Sequence, residues 1–131
     1  MKTGKDIAVL AVGSMVKICN NAISRVTSPL KDRITLINAR FVKPLDIDML
    51  KKIEKTHKYI ITFEEGSKIG GFGDSVLRYF SSKETDLKIF TRGIEDDFIE
   101  QGTREELLES VKLNESGVVN YINSIVDTNE K

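Results

Sequence analysis

The sequence predicts an α/β domain in which helices cover both faces of a mostly parallel β-sheet. Strand-like and helix-like patterns alternate along the chain, which is the order that βαβ units produce. The first strand-like segment, residues 7–12, is continuously apolar, as strands buried on both faces are. The chain has 131 residues, 40% of them hydrophobic, which is enough for one ordinary domain. We therefore expect a single domain over residues 1–131.

The first predicted helix follows the turn Gly13-Ser14, and Ser14 is its expected N-cap. Its apolar residues recur at the spacing of one helical face. These residues are Met15, Ile18, Cys19, Ala22, Ile23 and Val26. The helix should end before Pro29, because proline disfavours helical backbone in the preceding residue.

Two further predicted strands, residues 34–38 and 59–63, enclose a second helix. Asp46 is its expected N-cap, and Leu45 and Leu50 occupy the two positions of a hydrophobic staple. The helix is expected to run to about Thr56.

The second half of the chain continues the alternation. A glycine-rich loop at 70–73 leads into a helix, and residues 87–90 form the fourth predicted strand. A capping box at 103–106 predicts another helix. Asn114 is expected to cap the last helix, whose apolar positions are Val118, Val119, Ile122, Ile125 and Val126. The polar tail, residues 127–131, is expected to fray.

Composition and charge exclude several classes of function. Twenty basic and twenty acidic side chains cancel, so there is no bulk electrostatic attraction to nucleic acid or an anionic membrane. No apolar run approaches the ~20 residues of a membrane span, and no signal peptide is expected before the early first strand. The single cysteine excludes an internal disulfide and suits a reducing, cytoplasmic environment.

Two features could bind a ligand at the carboxyl ends of the strands, where open α/β sheets bind theirs. The glycine loop precedes a helix whose free N–H groups favour an anion. The dinucleotide fingerprint fails because Val76 stands where its third glycine belongs, so a tight turn with close helix packing is favoured. Glu64 and Glu65 could supply a general base. Orienting a loop or contacting a partner subunit is favoured, because no nucleophile, histidine or metal-ligand cluster stands nearby.

The remaining reactive residues have simpler interpretations. His57 ends a helix, where a cation suits the helix dipole, and is more typical of a capping residue than a catalyst. Cys19 lies on an apolar helix face and is expected to pack as a small hydrophobe. Asp96 and Asp97 could bind magnesium, but two adjacent acids form a weak site. No self-sufficient catalytic, cofactor or metal site emerges from the residues.

Several stretches resemble the C-terminal domains of the transketolase family of thiamine-diphosphate enzymes. GKDIAVLAVGSMV at 4–16 is similar to the opening of these domains across the family. Other stretches resemble the 1-deoxy-D-xylulose-5-phosphate synthases most, and ARFVKPLD at 39–46 is fairly specific to them. The others are TFEE at 62–65 with GGFG at 70–73, GIEDDFIEQGT at 93–103 and LNESGV at 113–118. Glu95 departs from the pattern, since the synthases usually carry proline there.

The resemblance implies a three-layer α/β/α fold with a five-stranded mixed sheet, one strand being antiparallel. The fifth strand would be short and near Phe98. It also implies a parent enzyme that joins pyruvate and glyceraldehyde 3-phosphate with release of carbon dioxide. In that family thiamine diphosphate and Mg²⁺ bind to the two preceding domains, and the G-D-G motif of that site is absent here.

The resemblance therefore implies a structural domain, inert by itself, that packs against the preceding domains and helps to hold a homodimer. An exposed Phe72 beside three glycines would offer an aromatic anchor at that contact. The expected contact residues are Phe41, Lys43, Pro44, Glu64, Glu65, Gly71 and Phe72. The alternatives are the C-terminal domain of a transketolase or of a 2-oxoacid dehydrogenase β subunit, and a free-standing flavodoxin-like module that binds a small molecule at the glycine loop.

Overall fold

Strands and helices alternate along the chain in the computed structural model, which describes residues 6–39, 45–67, 71–94 and 113–130. The strands are β1 (Ile7–Ala11), β2 (Ile34–Asn38), β3 (Tyr59–Ser67) and β4 (Lys88–Ile94). The helices are α1 (Met15–Ser24), α2 (Ile47–Thr56), α3 (Phe72–Ser81) and α4 (Glu115–Asn129), and a 3₁₀ turn (Lys31–Arg33) precedes β2. The predicted alternation is therefore confirmed.

The described strands form one sheet in the order β2-β1-β3-β4, and every neighbouring pair is parallel. Ile7 stands opposite Ile34 on one side and Tyr59 on the other, so β1 is central. The described sheet has four strands where the family resemblance implies five. The expected fifth strand near Phe98, and the capping-box helix at 103–106, lie outside the described residues.

Two hydrophobic cores lie on opposite faces of the sheet. The side chains of Ile7, Val9 and Ala11 pack with α1 and α4, whereas Ala8 and Leu10 pack with α2 and α3. Burial of both sets removes apolar surface from water on each face, and this stabilises the fold by about 25 cal/mol for each Å² that is buried. The continuous apolar run of β1 is thus explained by helices on both sides, and the fold is a three-layer α/β/α arrangement.

Local signals fix the starts of two helices as predicted. Asp46 Oδ1 accepts a hydrogen bond from the Met49 N–H at 3.1 Å. Asn114 Oδ1 accepts one from the Gly117 N–H at 2.9 Å. Each bond satisfies a backbone donor that has no partner within its own helix. Ser14 stands at the predicted start of α1, but its side chain makes no capping bond.

Two strands are longer than the sequence predicts. β3 continues past Phe63 to Ser67, and β4 continues past Phe90 to Ile94. Across the two extensions Ser67 pairs with Ile94, beyond a register shift between Phe63 and Ser67. The polar residues in these extensions do not predict strands. Pairing with the neighbouring strand determines where β3 and β4 end.

The last helix extends into the tail that the sequence predicts to fray, and fraying of the tail stays a prediction. Helix α4 continues through Asn129. Beyond it, the Glu130 carboxylate accepts hydrogen bonds from the Arg33 guanidinium and from the Tyr59 hydroxyl. Within the described ranges, no helix combines the length and apolar character that crossing a bilayer requires.

Candidate functional site

The carboxyl edge of the sheet is the candidate site, because the chain leaves its two central strands in opposite directions there. Helix α1 follows β1 onto one face, and α3 follows β3 onto the other. In open α/β sheets such a switch point creates a crevice in which ligands bind. Here the Val12 N–H donates to the Phe63 carbonyl at 3.1 Å, so the backbones remain joined just past the end of β1.

Glu64 is buried at this edge and caps α3. Its side chain is oriented inward and Glu64 is only 6% exposed. Its Oε1 accepts from the Phe72 N–H at 2.9 Å, and its Oε2 accepts from the Gly73 N–H at 2.7 Å. A carboxylate on the first N–H groups of a helix is a charge-assisted bond that the helix dipole strengthens. This contact supports the interpretation that Glu64 orients a loop, in preference to acting as a general base.

Gly73 lets α3 approach the sheet closely. A Cβ atom at this position would lie 2.6 Å from Thr62 Oγ1 and 2.9 Å from Thr91 Cγ2. Real Cβ atoms do not approach other atoms so closely, so only glycine fits without a shift. The prediction that the glycine loop serves close packing is confirmed at Gly73. Gly70 lies outside the described residues.

The expectation of an exposed Phe72 is wrong. Phe72 is 1% exposed and packs in the core that lies under α2 and α3. It is the first residue of α3, with Gly71 as the N-cap, so its ring is oriented toward the sheet when the helix docks. An aromatic anchor for a partner is therefore not available at this position in the chain as described.

Ser14, which lies between β1 and α1, is joined to Glu65 on the neighbouring strand β3. Ser14 Oγ donates a hydrogen bond of 2.6 Å to Glu65 Oε1. Gly13, just before, has a φ of 61°, in the left-handed region that favours glycine. The Ser14 hydroxyl thus contacts β3 where the sequence predicts a helix cap. Sequence reasoning missed this pair because the residues are 51 positions apart.

His57 and Cys19 have structural surroundings. The His57 backbone N–H closes α2 by donating to the Ile53 carbonyl at 2.8 Å. Its ring nitrogens lie 2.7 Å from Thr56 Oγ1 and 3.0 Å from Thr35 Oγ1. Burial lowers the pKa of His57 below its usual value, which disfavours a cation at this helix end. Burial also raises the pKa of the Cys19 thiol to about 12, and the prediction that Cys19 packs as a hydrophobe is confirmed.

The described residues at this edge do not fit thiamine diphosphate or magnesium. Within the described ranges, no three His, Cys, Asp or Glu side chains are grouped to hold a metal ion. Magnesium prefers a set of oxygen ligands in near-octahedral geometry, and Glu64 and Glu65 are already bonded to Phe72, Gly73 and Ser14. The N-terminus of α3, which could otherwise receive a diphosphate, already binds a carboxylate.

Three surface clefts of about 470, 440 and 490 Å³ offer space elsewhere. None of them is lined by Ser14, Glu64 or Glu65. The second lies beside the start of α4, where the Arg92 guanidinium carbon stands 5.2 Å from the centre of the Tyr121 ring.

The structure brings together only part of the predicted contact set. Glu64, Gly71 and Phe72 adjoin one another at the start of α3, and Glu65 contacts Ser14. Phe41, Lys43 and Pro44, as well as Asp96 and Asp97, lie outside the described residues. A role of this set in binding other domains stays a prediction.

Comparison with known proteins gives consistent matches across most of the chain. The family model described as the transketolase C-terminal domain matches residues 1–118. The 1-deoxy-D-xylulose-5-phosphate synthase of Psychromonas ingrahamii is 36% identical over 122 residues, which cover 93% of this chain and 19% of that protein. The synthase of Clostridium tetani is 39% identical over 119 residues, or 88% of this chain and 19% of that protein.

A solved structure agrees with these matches. It is described as a split-gene transketolase in an inactive β4 tetramer, and it superposes with a TM-score of 0.82 at 26% identity. The match covers 94% of this chain and 40% of that one. The chain thus spans about a fifth of the length of the curated relatives that it matches.

Proposed function

The chain belongs to the transketolase C-terminal domain family, and from this premise we propose that it is the C-terminal structural domain of a 1-deoxy-D-xylulose-5-phosphate synthase. The whole enzyme would join pyruvate and glyceraldehyde 3-phosphate, release carbon dioxide and act in the cytoplasm. Thiamine diphosphate and Mg²⁺ would bind to the preceding domains. The domain itself would be catalytically inert.

The similarity to the synthases supports this choice over a transketolase. The synthases of Psychromonas ingrahamii and Clostridium tetani are 36% and 39% identical to this chain, whereas the split-gene transketolase is 26% identical.

At the carboxyl edge of the sheet, both glutamates already have hydrogen-bond partners within the chain. This observation favours a scaffold over a ligand-binding module. Glu64 engages the N–H groups of α3, and Glu65 engages Ser14. A phosphate entering the crevice would have to displace one carboxylate and would be repelled by both. The edge would instead present a fixed surface to the preceding domains and to the second subunit of a homodimer.

A fusion tests the proposal. The part of the Psychromonas ingrahamii synthase that precedes its matching segment would be joined to this chain. Light scattering would report the oligomeric state, and formation of 1-deoxy-D-xylulose 5-phosphate would report activity. We expect the fusion to be an active dimer and the truncated synthase alone to be neither. A truncated enzyme that is dimeric and fully active would contradict the scaffold role.

Calorimetry of the 131-residue chain alone gives a second test. Titration with thiamine diphosphate and Mg²⁺ should produce no binding heat, because the binding groups would lie in other domains. Tight binding would refute the assignment of the cofactor to the preceding domains.

A further inference from the structure

The N-terminus of α3 has the features of an anion site whose occupant comes from the chain itself. The helix is 10 residues long, so its first N–H groups carry the positive end of a substantial dipole. Gly71, the N-cap, offers no side-chain acceptor. The Glu64 carboxylate fills this place with one oxygen on each of two consecutive N–H groups.

Thr62 adds a second polar group to the same place. Its hydroxyl is fully buried and has no hydrogen-bond partner among the described residues. Thr62 Oγ1 lies 2.6 Å from the point where a Cβ on Gly73 would stand, so the hydroxyl is directed at the start of α3. A buried hydroxyl without a partner is costly, and it is a donor available to an anion that can move toward it.

We infer that the N-terminus of α3, together with Thr62, is a carboxylate-binding site that the chain fills with its own Glu64. When the Glu64 side chain is shortened, the site takes a free small monocarboxylate in its place. This inference goes beyond the proposed function and does not depend on the identity of the parent enzyme.

The size of the site selects acetate. Replacement of Glu64 by alanine keeps Cβ and removes Cγ together with the carboxylate, which are the heavy atoms of acetate. Formate lacks one of these carbons and leaves part of the space empty. Phosphate is wider and carries more charge, and Phe72 and the other core residues beside the site disfavour a poorly neutralised anion.

The test is thermal unfolding of E64A in sodium acetate, with sodium chloride at equal ionic strength as the reference. Acetate at about ten times its dissociation constant should raise the Tm of E64A by about 5 °C over the chloride value. Formate should give a smaller rise. If E64A is unfolded in buffer, recovery of the helical circular dichroism signal with acetate is the equivalent readout.

Wild type, E65A and E64Q are the matched controls. Glu65 neighbours Glu64 but bonds to Ser14 rather than to α3, so E65A leaves the site filled. The glutamine of E64Q occupies the same volume. All three should show equal Tm values in acetate and chloride. An equal acetate response in E64A and E65A, or none in E64A, would overturn the inference.

A double variant tests Thr62. Replacing Thr62 by valine in E64A should weaken acetate binding roughly 2- to 10-fold, which is the worth of one hydrogen bond. Unchanged affinity would remove Thr62 from the site. Neither result bears on the fusion experiment, so failure of this inference and failure of the proposed function are distinguishable.

Discussion

Gly73 shows how one residue sets the distance between a helix and a sheet. Its missing side chain leaves room for Thr62 and Thr91 directly beneath α3. Glu64, on the same strand as Thr62, then reaches the first N–H groups of the helix. Close packing and capping therefore depend on each other at this site.

Substitution of Gly73 by alanine should destabilise the chain. The new Cβ would overlap Thr62 Oγ1 and Thr91 Cγ2, and the helix would have to move outward, at a cost of about 1–3 kcal/mol. Urea unfolding would measure the change. S81A on the exposed end of the same helix is the control and should change the free energy of unfolding by less than about 0.5 kcal/mol. Equal effects of both substitutions would show that the close approach is unimportant.

His57 should make the stability depend on pH. Burial lowers the pKa of His57 in the folded state below its unfolded value. As the pH falls, the unfolded chain therefore binds more protons than the folded chain does. The stabilising contribution of neutral His57 is therefore complete above the unfolded pKa of about 6.5 and is lost as the pH falls through the folded pKa. The free energy of unfolding of wild type should exceed that of H57N by more at about pH 7.5 than at about pH 5.5. A difference that grows at the lower pH would contradict this sign.

At the scale of elements, Arg33 ties the end of α4 to the amino edge of the sheet. Its guanidinium donates to Asp6 at 2.7 and 3.1 Å, and to Glu130 beyond the end of α4. The Tyr59 hydroxyl donates to the same Glu130 carboxylate at 2.9 Å. These contacts lower the pKa of Glu130. A polar segment whose contacts the sequence does not reveal is thus joined to β3 and to the 3₁₀ turn that precedes β2.

Substitution of Glu130 by glutamine should weaken this junction. The partly exposed network is worth about 1 kcal/mol, because solvent screens it. Urea unfolding would report the loss, and amide exchange in the last turn of α4 should become faster. D127N lies on the exposed surface of the same helix end and should change neither quantity appreciably. Slow exchange that persists in E130Q would show that packing alone holds α4.

For the whole molecule, the two cores should unfold together. They share β1 and β3, whose alternate side chains enter opposite cores, so neither core survives loss of the sheet. I60V and I61V remove one methylene each from opposite faces of β3. Each should lower the free energy of unfolding by about 0.5–1.5 kcal/mol. Circular dichroism and tyrosine fluorescence should trace one transition in both variants, and two separated transitions would refute this coupling.

The amino-acid sequence alone determined the order of elements, the apolar faces and two helix caps, Asp46 and Asn114. Each of these depends on residues within a few positions of one another, so periodicity and capping chemistry suffice to predict them. Family resemblance added the expected role, and the comparisons confirmed the family. The burial of Phe72 could not be predicted from local sequence, because it depends on how α3 packs against the sheet.

Only the tertiary structure decided which groups meet at the edges of the sheet. Glu64 contacts Phe72 across 8 positions, Ser14 contacts Glu65 across 51, and Arg33 contacts Glu130 across 97. Such partners are chosen by strand order and helix docking, which bring distant segments together. The local sequence does not predict these partners, because a glutamate that caps a distant helix can have the same neighbours in sequence as one that faces solvent.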